Sequence, residues 1–189
     1  MTTTSATGRG RIPTGKTEVA AAILAAATDL FAERGPAATS IRDIAARAGV
    51  NHGLVFRHFG TKENLVGAVL DHLGADLTDL LRADPRPDDE VERTLDQQMR
   101  VMARTVLDGY PAGQLQKRFP NIAAVLDAVL PAYDDKTKAR IAVANALALQ
   151  FGWRLFAPIL RSATEIEDLT DAELKEAVNA ELARIIGTD

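Results

Sequence analysis

The chain has 189 residues, 47% of them hydrophobic and 25% charged, a composition typical of globular proteins rather than disordered or fibrous ones. It contains no cysteine, which rules out disulfides, thiolate metal sites, iron–sulfur clusters and Cys nucleophiles. The histidines His52, His58 and His72 lack the three- or four-residue spacing that places two ligands on one helical face, so no metal or cofactor is expected, and a net charge of -4 argues at first sight against a nucleic-acid partner.

Residues 1–16, rich in Thr, Gly and Ser and carrying Arg9 and Arg11, read as a flexible basic arm, either a bland terminus or one that touches DNA. This start lacks the apolar centre of a secretory signal, and no apolar run approaches the ~18 residues needed to span a bilayer, so the expectation is a cytoplasmic protein with no membrane partner. From Thr17 the pattern is helical. Ile23, Ala27, Leu30 and Phe31 recur at three and four, and Gly35-Pro36 stops them. Ser40 with Asp43 resembles a capping box for a second, short helix carrying Ile41, Ile44, Ala45 and Ala48 and ending at Gly49. Asn51 is a favoured N-cap for a third, His52 to Phe59, which turns Val55, Phe59 and conceivably Phe56 inward before Gly60. Thr61 caps a fourth.

The remainder is plainer. One helix is expected to stop at the Pro85-Arg86-Pro87 loop; a second carries the stripe Val91, Leu95, Met99, Met102, Val106; a shorter one spans Phe119 to Leu130. A long one runs from Asp134-Asp135 to about Leu160, with Pro158 expected to bend or end it, and the last follows the capping box Thr170-Asp171-Ala172-Glu173. There is no internal repeat and no alternating strand pattern. The fold is expected to be all-α.

Ser40 to His58 has the grammar of a helix-turn-helix, in which Ala45 and Ala48 let two helices cross closely and Gly49 supplies the turn. Such a corner is also an ordinary structural device, and spacing alone leaves both readings open. The fixed positions go further. Ala27-x-x-Leu30-Phe31-x-x-x-Gly35, Thr39-Ser40-Ile41-x-x-Ile44-Ala45-x-x-Ala48-Gly49-Val50 and Gly53-x-x-Phe56-x-His58-Phe59-x-x-Lys62-Glu63-x-Leu65 together strongly resemble the TetR family of bacterial transcriptional regulators.

The resemblance implies an N-terminal DNA-binding domain, 17–64, and a C-terminal ligand-binding and dimerisation domain, 65–189. It assigns phosphate contact to Thr39 and Ser40, base edges to His52, Gly53 and Leu54, and backbone contact to His58 and Lys62. Phe56 stands where the family usually has a tyrosine, so a hydroxyl that reaches phosphate is missing. Arg57 is the other group able to hydrogen-bond a base, which leaves direct readout thin. Arg42 and Arg47 either touch phosphate or merely solvate their helix.

On the long helix, Ala144, Ala148 and Gly152 recur at four beside Ile141 and Leu155, a ridge that suits close packing within the chain or against a symmetry mate. The resemblance favours the mate, with Leu174 and Val178 of the last helix completing a homodimer interface. It likewise implies an effector cavity, for which Met99, Met102, Phe119, Asn145, Trp153 and Phe156 are the candidate walls, although each also reads as ordinary core; Gln150 and Arg104 are further polar handles. The expected function is a dimeric repressor on a palindromic DNA operator, released by a small, largely apolar effector. A helical protein-interaction module without specific DNA binding is the alternative. No enzyme is expected, because the acidic runs at Asp88-Asp89-Glu90 and Asp134-Asp135 sit where helix capping explains them. The acidic average also conceals a polarity: residues 1–70 hold eight Lys/Arg against five Asp/Glu, or +3, while the rest hold fourteen against twenty-one, or -7.

Overall fold

The computed structural model describes residues 15–187, so the expected arm falls almost wholly outside the described part. Within it there are helices and turns but no strand. α1 (Lys16–Arg34) buries Val19, Ile23, Ala26, Ala27, Leu30 and Phe31, the face its spacing predicts. α2 (Ile41–Ala48) begins in a complete capping box: the Asp43 N–H donates to Ser40 Oγ at 3.1 Å and the Ser40 N–H to Asp43 Oδ2 at 3.0 Å. It ends because Gly49 adopts φ +67°, a left-handed conformation that turns its N–H and that of Val50 back onto the carbonyls of Ala46 and Ala45. The corner thus places α3 (His52–Phe59) directly after the turn, with Asn51 Oδ1 accepting from the Gly53 N–H at 2.8 Å.

α4 (Lys62–Arg82), capped by Thr61, is continuous through the expected 64/65 boundary. The head is therefore joined to the body by a rod rather than a linker. Its core, centred on the fully buried Phe31, Ile23, Ile44, Val55 and Leu65, also takes in Val101 from α5 (Asp88–Leu107) and Ala112 from the four-residue α6 (Ala112–Leu115). Phe31 alone contributes about 1.5–3 kcal/mol by burial. α6 was not expected, being too short to show a period.

α7 (Pro120–Val129) passes through a 3-10 turn at 130–132 into α8 (Lys136–Ala163), which pairs with α9 (Asp171–Ile186). Pro158 does not stop α8; the helix continues to Ala163. A small second core of Val129, Ala139 and Val143 holds this end together, with Tyr133 Oη donating to the Ile185 carbonyl at 3.3 Å. Otherwise α8 is thinly covered. An 18-residue window of it reaches a mean hydropathy of 1.2 with only 11% of its residues buried, so by length and composition it could cross a membrane. Asn145, Gln150 and Arg154 interrupt the stretch, which is why it holds no long unbroken apolar run.

Candidate nucleic-acid interface and effector cavity

The short helix α3 divides cleanly. His52, Gly53, Phe56 and Arg57 face solvent, while Val55 is 1% exposed and Phe59 packs against the head core. Phe56 is 52% exposed, so its inward option is excluded and its ring stands on the outer face. Leu54 departs from the base-edge assignment: it is half-buried against the core, and with Lys16, Val19, Arg57 and His58 it lines a cleft of about 320 Å³ between α1 and α3. Helical geometry causes this, since position 54 lies about 100° round from 53 and so leans toward α1. The His58 ring tilts against Phe59 with centroids 6.2 Å apart.

Thr39 is a second correction. Its side chain is 1% exposed, and its hydroxyl donates to the Gly35 carbonyl at 2.8 Å, so it braces the α1–α2 turn instead of meeting a phosphate. Ser40 is exposed, and its hydroxyl is shared with Asp43: the oxygen accepts from the Asp43 N–H at 3.1 Å and the proton lies on the Asp43 carboxylate. The backbone N–H and hydroxyl of Ser40, with Arg34 at 2.9 Å, hold the Asp43 carboxyl below its ordinary range. The cations sort themselves as well. Arg47 forks onto Glu33 at 3.1 and 3.2 Å, lowering the Glu33 carboxyl, whereas Arg42, Arg57 and Lys62 have no ion pair among the described residues. The uncommitted positive charge of the head lies on those three, with Lys16.

In the body, a cavity of about 510 Å³ opens between the end of α4, the start of α5, α8 and α9. Of the expected walls, Trp153 alone lines it. Met99 is buried and Met102 packs on the head core, Phe119 is 37% exposed, and Asn145 and Phe156 lie on the outer side of α8. Gln150 does line the cavity, but Arg104 donates to the Ala32 carbonyl at 3.1 Å, far along α5. Leu174 and Val178, expected at the dimer interface, line the cavity. Glu92, Arg154 and Lys175, which the sequence reading missed, meet at its rim: Arg154 bonds Glu92 at 2.6 Å and Asp96 at 2.9 Å, and Lys175 bonds Glu92 at 2.6 Å. No sequence period links residues from three separate helices, so nothing pointed to them. A separate open groove of about 500 Å³ between α1 and α5 is polar, walled by Asp29, Glu33, Glu90, Arg93 and Arg100.

The remaining expected interface residues point outward. Ile141 is 54% exposed, Ala144 and Ala148 are exposed, Leu155 is half-buried, and a Cβ added to Gly152 would meet nothing within 4 Å.

Comparison with known proteins agrees with the head's geometry. Residues 23–69 match the family model for bacterial regulatory proteins of the tetR family. The chain is 69% identical over 186 residues to the HTH-type transcriptional repressor Rv3405c of Mycobacterium tuberculosis, with 98% of each chain covered, and equally similar to the HTH-type transcriptional regulator Mb3439c of Mycobacterium bovis. The chain belongs to the TetR family. It is a DNA-binding transcriptional regulator, not an enzyme. Among solved structures, a TetR-family transcriptional regulator from Mesorhizobium loti aligns at a TM-score of 0.55 and 20% identity over 93% of this chain and 98% of that one. One from Streptomyces coelicolor aligns at 0.51 and 24% over 92% and 98%. These share the fold of a TetR head carried on a helical body.

Proposed function

We propose that this TetR-family protein is a cytoplasmic repressor that binds a palindromic DNA operator as a homodimer and is released by a small effector held in the C-terminal cavity. The observation that carries the reading is the stripe of α8 in which Ile141, Ala144, Ala148, Phe156 and Ile159 are exposed at helical spacing among the described residues, around a half-buried Gly152 with nothing within 4 Å of its Cβ position. A large apolar face around an open glycine suits close approach by the same helix of a second copy. A two-fold dimer sets two α3 helices about one DNA turn apart, near 34–36 Å, and so reads an inverted repeat.

In each head, His52 and Arg57 read base edges, with Gly53 letting the backbone come close, while Ser40, His58, Lys62 and Arg42 hold phosphates. Phe56 gives only apolar contact, to a thymine methyl or a sugar. The effector acts by binding the DNA-incompetent arrangement more tightly; equal affinity for both arrangements would release nothing. Sedimentation velocity tests the dimer. The wild type is expected to sediment as a dimer at micromolar concentration, and Ile141→Asp with Phe156→Asp as a monomer whose operator affinity falls at least tenfold. A monomeric wild type that still binds operator DNA at full strength overturns the proposal.

A further inference from the structure

The body cavity carries a statement about the chemical class of its ligand, which rests on the effector reading above. Its apolar lining is formed by Val91, Leu95, Trp153, Leu174 and Leu182, with the exposed Leu81 at one edge. Its charged lining is Arg86, Asp88, Glu92, Arg154, Asp171 and Lys175, and each of these already has an ionic partner. Arg86 bonds Asp88 at 2.7 Å, Asp171 bonds Arg161 at 2.7 Å, and Glu92 is shared by Arg154 and Lys175, both at 2.6 Å. Arg154 holds Asp96 as well. An anionic ligand would add a carboxylate beside Glu92 and compete with it for both cations. A cationic one would face Arg154 and Lys175 on the way to Glu92. Either ion meets a lining in which every charged side chain already has a partner, so it would have to displace an existing pair to gain one of its own.

The uncommitted polar groups are of another kind. Gln150, half-buried, and Asn179, exposed, both line the cavity, and neither side-chain amide has a hydrogen-bond partner among the described residues. Each offers a neutral donor and a neutral acceptor. We propose that the cavity between α5, α8 and α9 binds an uncharged amphipathic molecule, whose aromatic body lies against Trp153 and whose amide, carbonyl or hydroxyl group is taken by Gln150 and Asn179.

Trp153 is the only tryptophan in the chain, so its emission reports this cavity alone. The test titrates the full-length protein with three probes sharing one body: biphenyl-4-carboxamide, biphenyl-4-carboxylate and (biphenyl-4-yl)methylammonium. The carboxamide is expected to change the emission saturably and to bind about tenfold or more tightly than either ion. Gln150→Leu and Asn179→Leu, each checked for native thermal unfolding, are expected to weaken the carboxamide about threefold to tenfold and leave the ions unchanged. Equal or tighter binding of either ion, or no binding of any probe to the wild type, overturns the proposal. Operator release is read separately by fluorescence anisotropy of labelled DNA. Carboxamide binding without release leaves the ligand class standing and refutes the effector reading. Release by an ion but not by the carboxamide does the reverse.

Discussion

The Asp108 carboxylate, at the C-terminal end of α5, accepts a 2.7 Å hydrogen bond from the backbone N–H of Ala37, in the turn that leads to α2. Four residues earlier, Arg104 donates to the Ala32 carbonyl near the end of α1. The other end of the same helix supplies Val91, Glu92 and Leu95 to the body cavity. α5 is thus one rigid element with the cavity at its start and the helix-turn-helix support at its end. Gly35 belongs to this contact: it holds φ +81°, and a Cβ there would lie 2.5 Å from Asp108 Oδ2.

Asp108→Ala is expected to cost about 1 kcal/mol of stability, since one hydrogen bond at an exposed site is lost. Its larger effect is expected on coupling, with the effector-induced loss of operator affinity shrinking by about 0.5–2 kcal/mol while affinity without effector changes less. Asp108→Asn, which keeps an acceptor oxygen, should restore most of it. Anisotropy titrations with and without effector distinguish the two. Gly35→Ala is expected to destabilise the protein by about 1–3 kcal/mol, because strain and collision act together.

Arg57→Ala and His52→Ala are each expected to weaken specific binding by about 1–3 kcal/mol and narrow the ratio of specific to random affinity. Lys62→Ala should weaken all sequences alike and flatten the salt dependence by about one counterion. Gel-shift titrations at several salt concentrations check both. If neither His52 nor Arg57 alters the ratio, specificity is read from DNA shape and the assignment of these two side chains is wrong.

Phe56→Tyr adds back a hydroxyl on a half-exposed ring at the outer face of α3. It is expected to raise affinity for all DNA sequences by about 0.5–1.5 kcal/mol and to leave stability unchanged, because the ring is not part of the core. The corresponding change at the neighbouring position, Val55→Thr, should instead destabilise the head by about 1–3 kcal/mol, since Val55 is 1% exposed and a hydroxyl there is taken out of water.

The head was legible in the sequence because its signals are local. Ser40 with Asp43, Gly49, and Asn51 fix the corner through bonds spanning at most five residues, and all appear where expected. What failed depended on neighbours. Thr39 and Ser40 are adjacent hydroxyls that sequence cannot rank, yet packing buries one and exposes the other. In the body, Leu174 and Val178 form a stripe that any partner could cover, and their place in the cavity lining follows from the packing of α9 on α8, which no local signal encodes. Pro158 was expected to matter more than it does, since the break it threatens falls in the last turns of α8.

The Glu92 carboxyl is subject to opposing effects: burial pushes it up, but its bonds to Lys175 and Arg154 outweigh that and hold it below its ordinary value. A folded-state pKa below the unfolded one gives stability that is complete above the unfolded value, near 4.3, and is lost as pH falls through the folded value. Glu92→Gln is therefore expected to lower Tm at pH 7 by a few degrees, with the difference from wild type narrowing below about pH 4. A difference that stays constant down to pH 3 means that the Arg154–Glu92–Lys175 cluster does not contribute to stability through its charge.

Sequencing DNA selected from a random pool by the purified protein reads α3 and the dimer together. An inverted repeat whose half-sites lie about one helical turn apart is expected, lost when His52 and Arg57 are both replaced by Ala. Enrichment of a lone half-site would contradict the dimer, and no enrichment at all would contradict α3 as a sequence-reading helix.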